Sequence, residues 1–312
     1  MHSLTIFTTT YHRPVCLKRL YLSLLEQTNK DFEWLVVADD TDEQTSNTVM
    51  QFCEEKLLDI IFIQQQHQGK TKAMINGFSR IQTPYMIDID DDDELKPEAV
   101  EVFASEWKRI EEMHQDDIGM VCAMSENERG EIVGKISAKT ISISYDTDYV
   151  TQEWTNNRHA EYIISRKVET IKDLSLFDDD GKWLRDRVTL VLESVYWNRM
   201  ARKWKTRYLP DVLRVYHTES NARLSVNPFN EEKCYNYVFS IYVMLNELKG
   251  RYNENLRQTI KYIAEYMVCG MALGLPMTRL VGTLDSRGLR IFSCVLLPLT
   301  WFVGIAFRKC YF

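Results

Sequence analysis

The chain has 312 residues, 45% of them hydrophobic and 27% charged, enough to bury one large domain or one domain with an appendage. A net charge of −7 excludes the basic footprint of a general nucleic-acid binder, although local Lys, Arg or a metal can still hold a nucleotide's diphosphate. Seven scattered cysteines with no C-x-x-C pair exclude a zinc site and a disulfide framework, and suit a reduced, cytoplasmic chain.

In chain order, Leu4 to Thr9 is β-branched and apolar, a first strand. Pro14 suits the first turn of the following helix, in which Leu17, Leu20, Tyr21, Leu24 and Leu25 recur at helical spacing. The run Phe32 to Ala38 forms a second strand ending at Asp39 and Asp40, and a helix through Thr48, Val49 and Phe52 follows. Leu57 to Ile63 is a third strand, Gly69 to Ile81 a helix, Tyr85 to Ile89 a fourth strand, and Pro97 to Met113 a helix. This alternation implies parallel βαβ units of right-handed winding. Ile118 to Ala123 adds a strand, and residues 132–150 read as β structure with turns. Helices are expected again over Val188 to Trp204 and through Asn230 to Gly270. The N-terminus enters a strand directly, so no cleavable signal peptide is expected.

The fourth strand ends in carboxylates: Asp88, Asp90, Asp91, Asp92, Asp93 and Glu94. Such crowding costs stability through like-charge repulsion, and Mg²⁺ or Mn²⁺, which take hard oxygen ligands, offset it. A solvated acidic loop ahead of a helix is the plainer alternative. Polar groups also close the first strand (Thr8, Thr9, Thr10, Tyr11, His12, Arg13) and the second (Asp39, Asp40). In a parallel sheet these ends meet at one edge, where open α/β folds hold ligands. Gly69 and Lys70 open a helix whose free N–H groups favour an anion, although no Walker loop is present.

These segments resemble the family 2 glycosyltransferases. Thr9-Thr10-Tyr11-His12-Arg13 is similar to the family's opening motif, and Phe32 through Thr45 to its Asp-Asp-Gly-Ser-x-Asp strand end. Gly69-Lys70, Ala73 and Asn76-Gly77 match its third helix, and Ile89 through Leu95 its D-x-D segment. Four motifs in the family's order over residues 3–97 are specific together. Ala38 stands where the family often has its first Asp, Asp40 where it often has Gly, and His12 where it has Asn.

The resemblance implies an α/β fold of GT-A type: a Rossmann-like, mostly parallel sheet flanked by helices, with a C-terminal helical extension. It implies a nucleotide-sugar donor, usually a UDP-sugar, held with Mg²⁺ or Mn²⁺. Thr9 and Asp39 would hold the base with Lys70 nearby, and Tyr11, Arg13 and Asp91 join them on the donor side. Asp90 would face ribose or metal, Asp92 would be the main metal ligand, and Asp93 would steady the site from behind. His217 is a further metal candidate, beside the polar residues Thr218, Ser220, Asn221, Arg223 and Ser225. Inversion at the sugar requires a carboxylate base, drawn from Glu153, Glu161, Asp178, Asp179, Asp180, Asp186 and Glu193. Glu193, in a segment similar to the family's Glu-Asp helix start, is the expected base, with Asp186 the alternative. Ser194 stands where many members carry Asp.

The expected organisation is a GT-A domain over 1–225, with donor binding in 1–115 and the acceptor side in 116–225. A helical region follows over 226–312. Within it Ile291 to Phe307 contains no charge and is flanked by Arg290, Arg308 and Lys309, which suits a helix at the cytoplasmic membrane surface, over 290–309. A glycan or lipid-linked acceptor follows from that location. Two other readings are a nucleotidyltransferase acting on sugar phosphates, which would carry a Gly-rich N-terminal loop absent here, and a membrane-associated Ca²⁺-binding protein, for which no EF-hand spacing is present.

Overall fold

The structure is a computed structural model that describes residues 2–135, 143–155, 159–172, 184, 187–217, 230–248 and 250–311. The chain divides into two compact units. The first comprises Met1–Tyr149, Asn157–Asp173 and Lys203–Asn221; the second comprises Val150–Asn156, Leu174–Arg202 and Ala222–Phe312.

The first unit is an α/β fold built on one sheet. Its opening half alternates β1 (Leu4–Thr10), α1 (Pro14–Leu25), β2 (Phe32–Ala38), α2 (Glu43–Glu55), β3 (Asp59–Gln64), α3 (Lys70–Phe78) and β4 (Tyr85–Asp88). Strands β3, β2, β1 and β4 are parallel neighbours in that order, as the βαβ reading requires. Then come β5 (Glu94–Leu95), α4 (Ala99–Glu112), β6 (Ile118–Glu126), β7 (Gly134–Lys135), β8 (Tyr145–Thr147), β9 (His159–Ala160), β10 (Tyr162–Lys167), α5 (Glu169–Lys172) and β11 (Lys205–Val215). The sheet continues β4-β10-β6-β11-β5, with β8 also on β11. β10 runs antiparallel to both its neighbours, and β11 runs parallel to β6. β7 and β9 pair separately.

Burial explains these elements. β2 is apolar on both faces because α1 and α2 cover one side and α3 the other: Trp34 and Val36 join Leu17, Leu20, Tyr21 and Phe52, while Leu35 and Val37 join Phe7, Ala73 and Phe78. Such continuous apolar runs belong to parallel strands covered on both faces. Tyr21 and Phe52 stack with ring centroids 4.0 Å apart, fixing α1 against α2.

The second unit holds a π-helical turn at Thr151–Thr155, then α6 (Glu193–Met200), α7 (Glu231–Glu247), α8 (Leu256–Ala272), α9 (Met277–Gly282) and α10 (Arg287–Tyr311). α7 packs against α6 and α8, and α8 against α10.

One expectation changes. The helix expected over Val188 to Trp204 is confined to Glu193–Met200, and Lys205 already belongs to β11. The segment before α6 stays extended because α7 supplies its hydrogen bonds. Asn236 Oδ1 accepts from the N–H groups of Thr189 (3.0 Å) and Leu190 (3.2 Å), and Ser240 Oγ accepts from that of Leu192 (2.9 Å). The helices expected through Asn230 to Gly270 are present as α7 and α8, each N-capped by an Asn side chain, Asn230 and Asn255. β10 occupies the middle of the sheet although its local sequence carries no more than a short apolar run.

Candidate active site

The carboxyl ends of β1, β2 and β4 converge at one edge. Thr10 is in register with Ala38, and the Asp39 N–H donates to the Thr10 carbonyl at 2.9 Å. Phe7 is in register with Asp88, and the Ile89 N–H donates to the Phe7 carbonyl at 3.0 Å. All three polar strand ends identified in the sequence therefore share one rim.

Asp39 is the hub of the β2 end. Its Oδ1 accepts from Gln65 Nε2 (2.8 Å) and the Gln68 N–H (2.9 Å), and its Oδ2 accepts from the Gly69 N–H (2.8 Å) and lies 2.9 Å from His67 Nδ1. Gly69 has φ = 94°, a conformation that L side chains rarely adopt, so glycine is required where the chain turns into α3. Asp40, standing at the family's glycine position, adopts no positive φ. Its side chain instead accepts from the N–H groups of His12 (2.8 Å) and Asp42 (2.9 Å), and His12 takes the left-handed conformation at φ = 53°. Tyr11 stacks on His67 at 4.3 Å between centroids and lies 4.2 Å from His12, giving a half-exposed aromatic group beside Asp39. Thr9, part-buried, pairs with Val37 in the sheet.

The acidic segment forms a tight turn in which the Asp93 N–H donates to the Asp90 carbonyl at 3.3 Å. Carboxylate oxygens of Asp90, Asp92 and Asp93 all lie within 4.8 Å of one another. Each meets a cation from a different element: Asp90 pairs with Lys70 (2.8 Å), Asp92 with Arg13 (2.9 Å), and Asp93 lies 3.2 Å from Arg214. Arg13 also reaches Asp91 at 3.0 Å, and Asp91 accepts from the Thr10 hydroxyl at 2.6 Å. Asp91 is thus turned into the protein, tying β1 to the acidic turn, while Asp90 is half-exposed and Asp92 part-buried. Arg19 donates to the Asp92 carbonyl.

Lys70 beside Asp90 holds that carboxyl below its ordinary value. Burial pushes Asp91 up to about 6 and Asp93 up to about 7, against the pull of Thr10 and Arg13 on the first and of Arg214 on the second. Three carboxylates with hard oxygen atoms suit Mg²⁺ or Mn²⁺. The buried Asp93 Oδ2 accepts no hydrogen bond among the described residues despite its contact with Arg214, which leaves one oxygen available to an ion. The donor set fits.

The ring of His217 lies 2.5 Å from Glu94 through Nε2 and 3.3 Å from Glu128 through Nδ1, while the backbone N–H of His217 donates to Asp93 Oδ1 at 3.2 Å. Glu161 lies 3.5 Å from Arg214. Glu193 is the exposed first residue of α6, in the second unit. Glu153 lies in the π-helical turn of that unit. Asp178, Asp179, Asp180 and Asp186 lie outside the described residues, as do Thr218, Ser220, Asn221, Arg223 and Ser225.

Sequence reading missed Arg214 as part of the site. Arg214 is almost fully buried, donating to Ser125 Oγ at 2.8 Å and facing Asp93. Its signal was a lone guanidinium among the apolar residues of Leu213 to Tyr216, which must be paired if it points inward.

The chain belongs to the glycosyl transferase family 2, whose family model matches residues 5–165, and its fold is GT-A. No curated protein matches by sequence. The structure is similar to that of S. aureus TarS 1–349 in complex with UDP (13% identity, TM-score 0.59, covering 100% of this chain and 93% of that one). It is similar to the same protein in complex with UDP-GlcNAc (12% identity, TM-score 0.60, with 100% and 93% covered). It also resembles the mannosyltransferase PcManGT from Pyrobaculum calidifontis in complex with GDP-Man and Mn²⁺ (13% identity, TM-score 0.57, covering 98% and 87%). At such identities these likenesses concern the fold.

Proposed function

We propose that the chain is an inverting, metal-dependent glycosyltransferase. It moves a sugar from a nucleoside diphosphate, most simply UDP, to a hydroxyl of a glycan or lipid-linked acceptor in glycoconjugate or polysaccharide synthesis. The observation that carries this reading is the meeting of Asp90, Asp92 and Asp93 with Lys70, Arg13 and Arg214 on the rim that also holds Asp39. Acids for a divalent ion and bases for a diphosphate lie together there.

Asp92, with Asp90, would hold Mg²⁺ or Mn²⁺, and Asp93 supports them from the buried side. When bound, the ion supplies Lewis-acid stabilisation of charge developing on the departing diphosphate. Arg13 and Lys70, which neutralise the carboxylates in the ion-free chain, can turn to phosphate oxygens once the ion does so. Thr9, Tyr11 and Asp39 take the nucleoside. The four donors around Asp39 fill its acceptor positions, so a base N–H meets this carboxylate by displacing the exposed His67. Glu193 accepts the proton of the attacking acceptor hydroxyl, on the face of the sugar opposite the leaving group.

Residues 1–115 serve the donor and 116–225 the acceptor, while the helical region over 226–312 holds the enzyme on the cytoplasmic face of a membrane. Among the described residues one helix is long and apolar enough to cross a membrane, over Arg287–Lys309.

Calorimetry with UDP, with and without Mn²⁺, tests the donor side. The wild-type chain is expected to bind UDP more tightly with Mn²⁺, and Asp92→Ala is expected to lose that gain and all metal-dependent turnover. Glu193→Gln should keep Mn²⁺-dependent UDP binding and lose transfer by two to four orders of magnitude, on the order of general-base effects. Normal turnover in Asp92→Ala overturns the metal assignment; transfer persisting in Glu193→Gln moves the base to Asp186 or another carboxylate.

A further inference from the structure

The C-terminal helix α10 has its polarity reversed. The residues it buries include Ser293, Thr300 and Gly304 along with Leu289. A Cβ at Gly304 would lie 3.0 Å from the Cβ of Met271 and 3.3 Å from the Val268 carbonyl, so the α10 backbone comes close to α8. On the opposite side Ile291, Val295, Leu299 and Phe302 form one stripe at 64–71% exposure, widened by Trp301, Val303 and Ile305. A helix on a water-facing surface does the reverse, turning its apolar stripe inward. Small and hydroxyl-bearing residues at the helix contact, with large apolar ones outside, form the arrangement of helices solvated by lipid. Between Arg287 and Lys309 there is no acidic residue, and bases stand at both ends: Arg287 and Arg290, then Arg308 and Lys309.

We infer that α10 lies flat in the headgroup region of an anionic lipid surface. The Ile291–Val295–Leu299–Phe302 stripe reaches the acyl boundary and the four bases meet lipid phosphates. The inference rests on the membrane attachment proposed above and assigns its posture and lipid charge. Spanning is disfavoured by two observations. The uncharged stretch, 17 residues from Ile291 to Phe307, is about 26 Å long as a helix, at the lower limit for crossing a hydrocarbon core of about 30 Å. In addition, α8 packs along α10 and carries exposed Arg257 and Lys261, which an upright α10 would draw toward hydrocarbon. A second copy of the chain is disfavoured because bases at both ends of the helix meet bases in either orientation. An anionic surface satisfies both ends at once.

The test is flotation of the full chain with vesicles of phosphatidylcholine alone and with phosphatidylglycerol added. Binding is expected on the anionic vesicles, to weaken with salt, and to fall roughly fivefold for each charge removed in Arg308→Gln and Lys309→Gln. Val295→Asp with Phe302→Asp should abolish it and leave Mn²⁺-dependent UDP binding in solution unchanged, so the outcome is separable from the donor chemistry. A depth probe at Leu299→Cys, with other accessible thiols replaced, should report a shallow position. Failure to bind either vesicle overturns the attachment itself. Binding with Leu299 at mid-bilayer overturns the flat posture alone. A concentration-dependent dimer that the Asp variants disperse, without vesicle binding, assigns the stripe to a second copy and overturns the inference.

Discussion

Asp39 holds the turn into α3 through its hydrogen bonds and is also the residue proposed to meet the nucleoside. Asp39→Asn keeps one acceptor oxygen and replaces the other with a donor facing a donor, so either the Gln68 or the Gly69 N–H loses its partner. The expected cost is about 1–3 kcal/mol of stability, together with weaker UDP binding, read from denaturant midpoints and calorimetry on the same preparation. Asp91 and Asp93 give a pH signature. Their pKa values of about 6 and about 7 lie above the ordinary carboxyl range, so between pH 4 and 7 the folded metal-free chain holds more protons than the unfolded one. Stability contributed by these groups is therefore complete at acid pH and is lost as pH rises through those values. In chelator, unfolding free energy should be lower at pH 7.5 than at pH 5 by on the order of 1–3 kcal/mol, and Asp93→Asn should flatten that slope. An unchanged slope in the variant would place Asp93 as an ordinary ionised partner of Arg214.

At the scale of elements, α3 shows sequence choices serving position over propensity. Gly69 turns the chain so that its N–H reaches Asp39, and Lys70 follows at once, its ammonium on Asp90. Gly77 lets the helix come down on the sheet: an added Cβ would lie 2.3 Å from Phe7 Cε2 and 3.0 Å from Val37 Cγ2. Alanine in a helix is favoured over glycine by about 1 kcal/mol, whereas overpacking costs about 1–3 kcal/mol. Gly77→Ala is therefore expected to destabilise the protein in urea titration, and a gain in stability would show that Phe7 rotates aside freely. α1 places its cation in the same way. Arg13 precedes Pro14, whose ring restricts the residue before it, and the side chain spans Asp91 and Asp92.

At the scale of the whole chain, an acidic protein keeps its few decisive cations where acids need them. Arg13, Lys70 and Arg214 come from the start of α1, the start of α3 and strand β11, and meet at one turn. Further bases, Arg287, Arg290, Arg308 and Lys309, sit at the ends of α10, beside an exposed apolar stripe. One sequence thus carries a polar rim in its first unit and an exposed apolar helix face in its second.

The local pattern of residues determined the order of β1 to β4 with their helices, the placing of Thr10, Asp39 and the acidic run at strand ends, and hence the family. Apolar period and turn residues act over a few positions, and parallel βαβ winding leaves little choice once they are read. Only the tertiary structure decided that β10 enters the sheet antiparallel, that Asp93 meets Arg214 and His217, the latter 124 positions away, and that α10 shows its apolar face outward. A residue's period tells that one face is covered, but the identity of the cover depends on contacts between segments far apart in the chain, which no local pattern encodes.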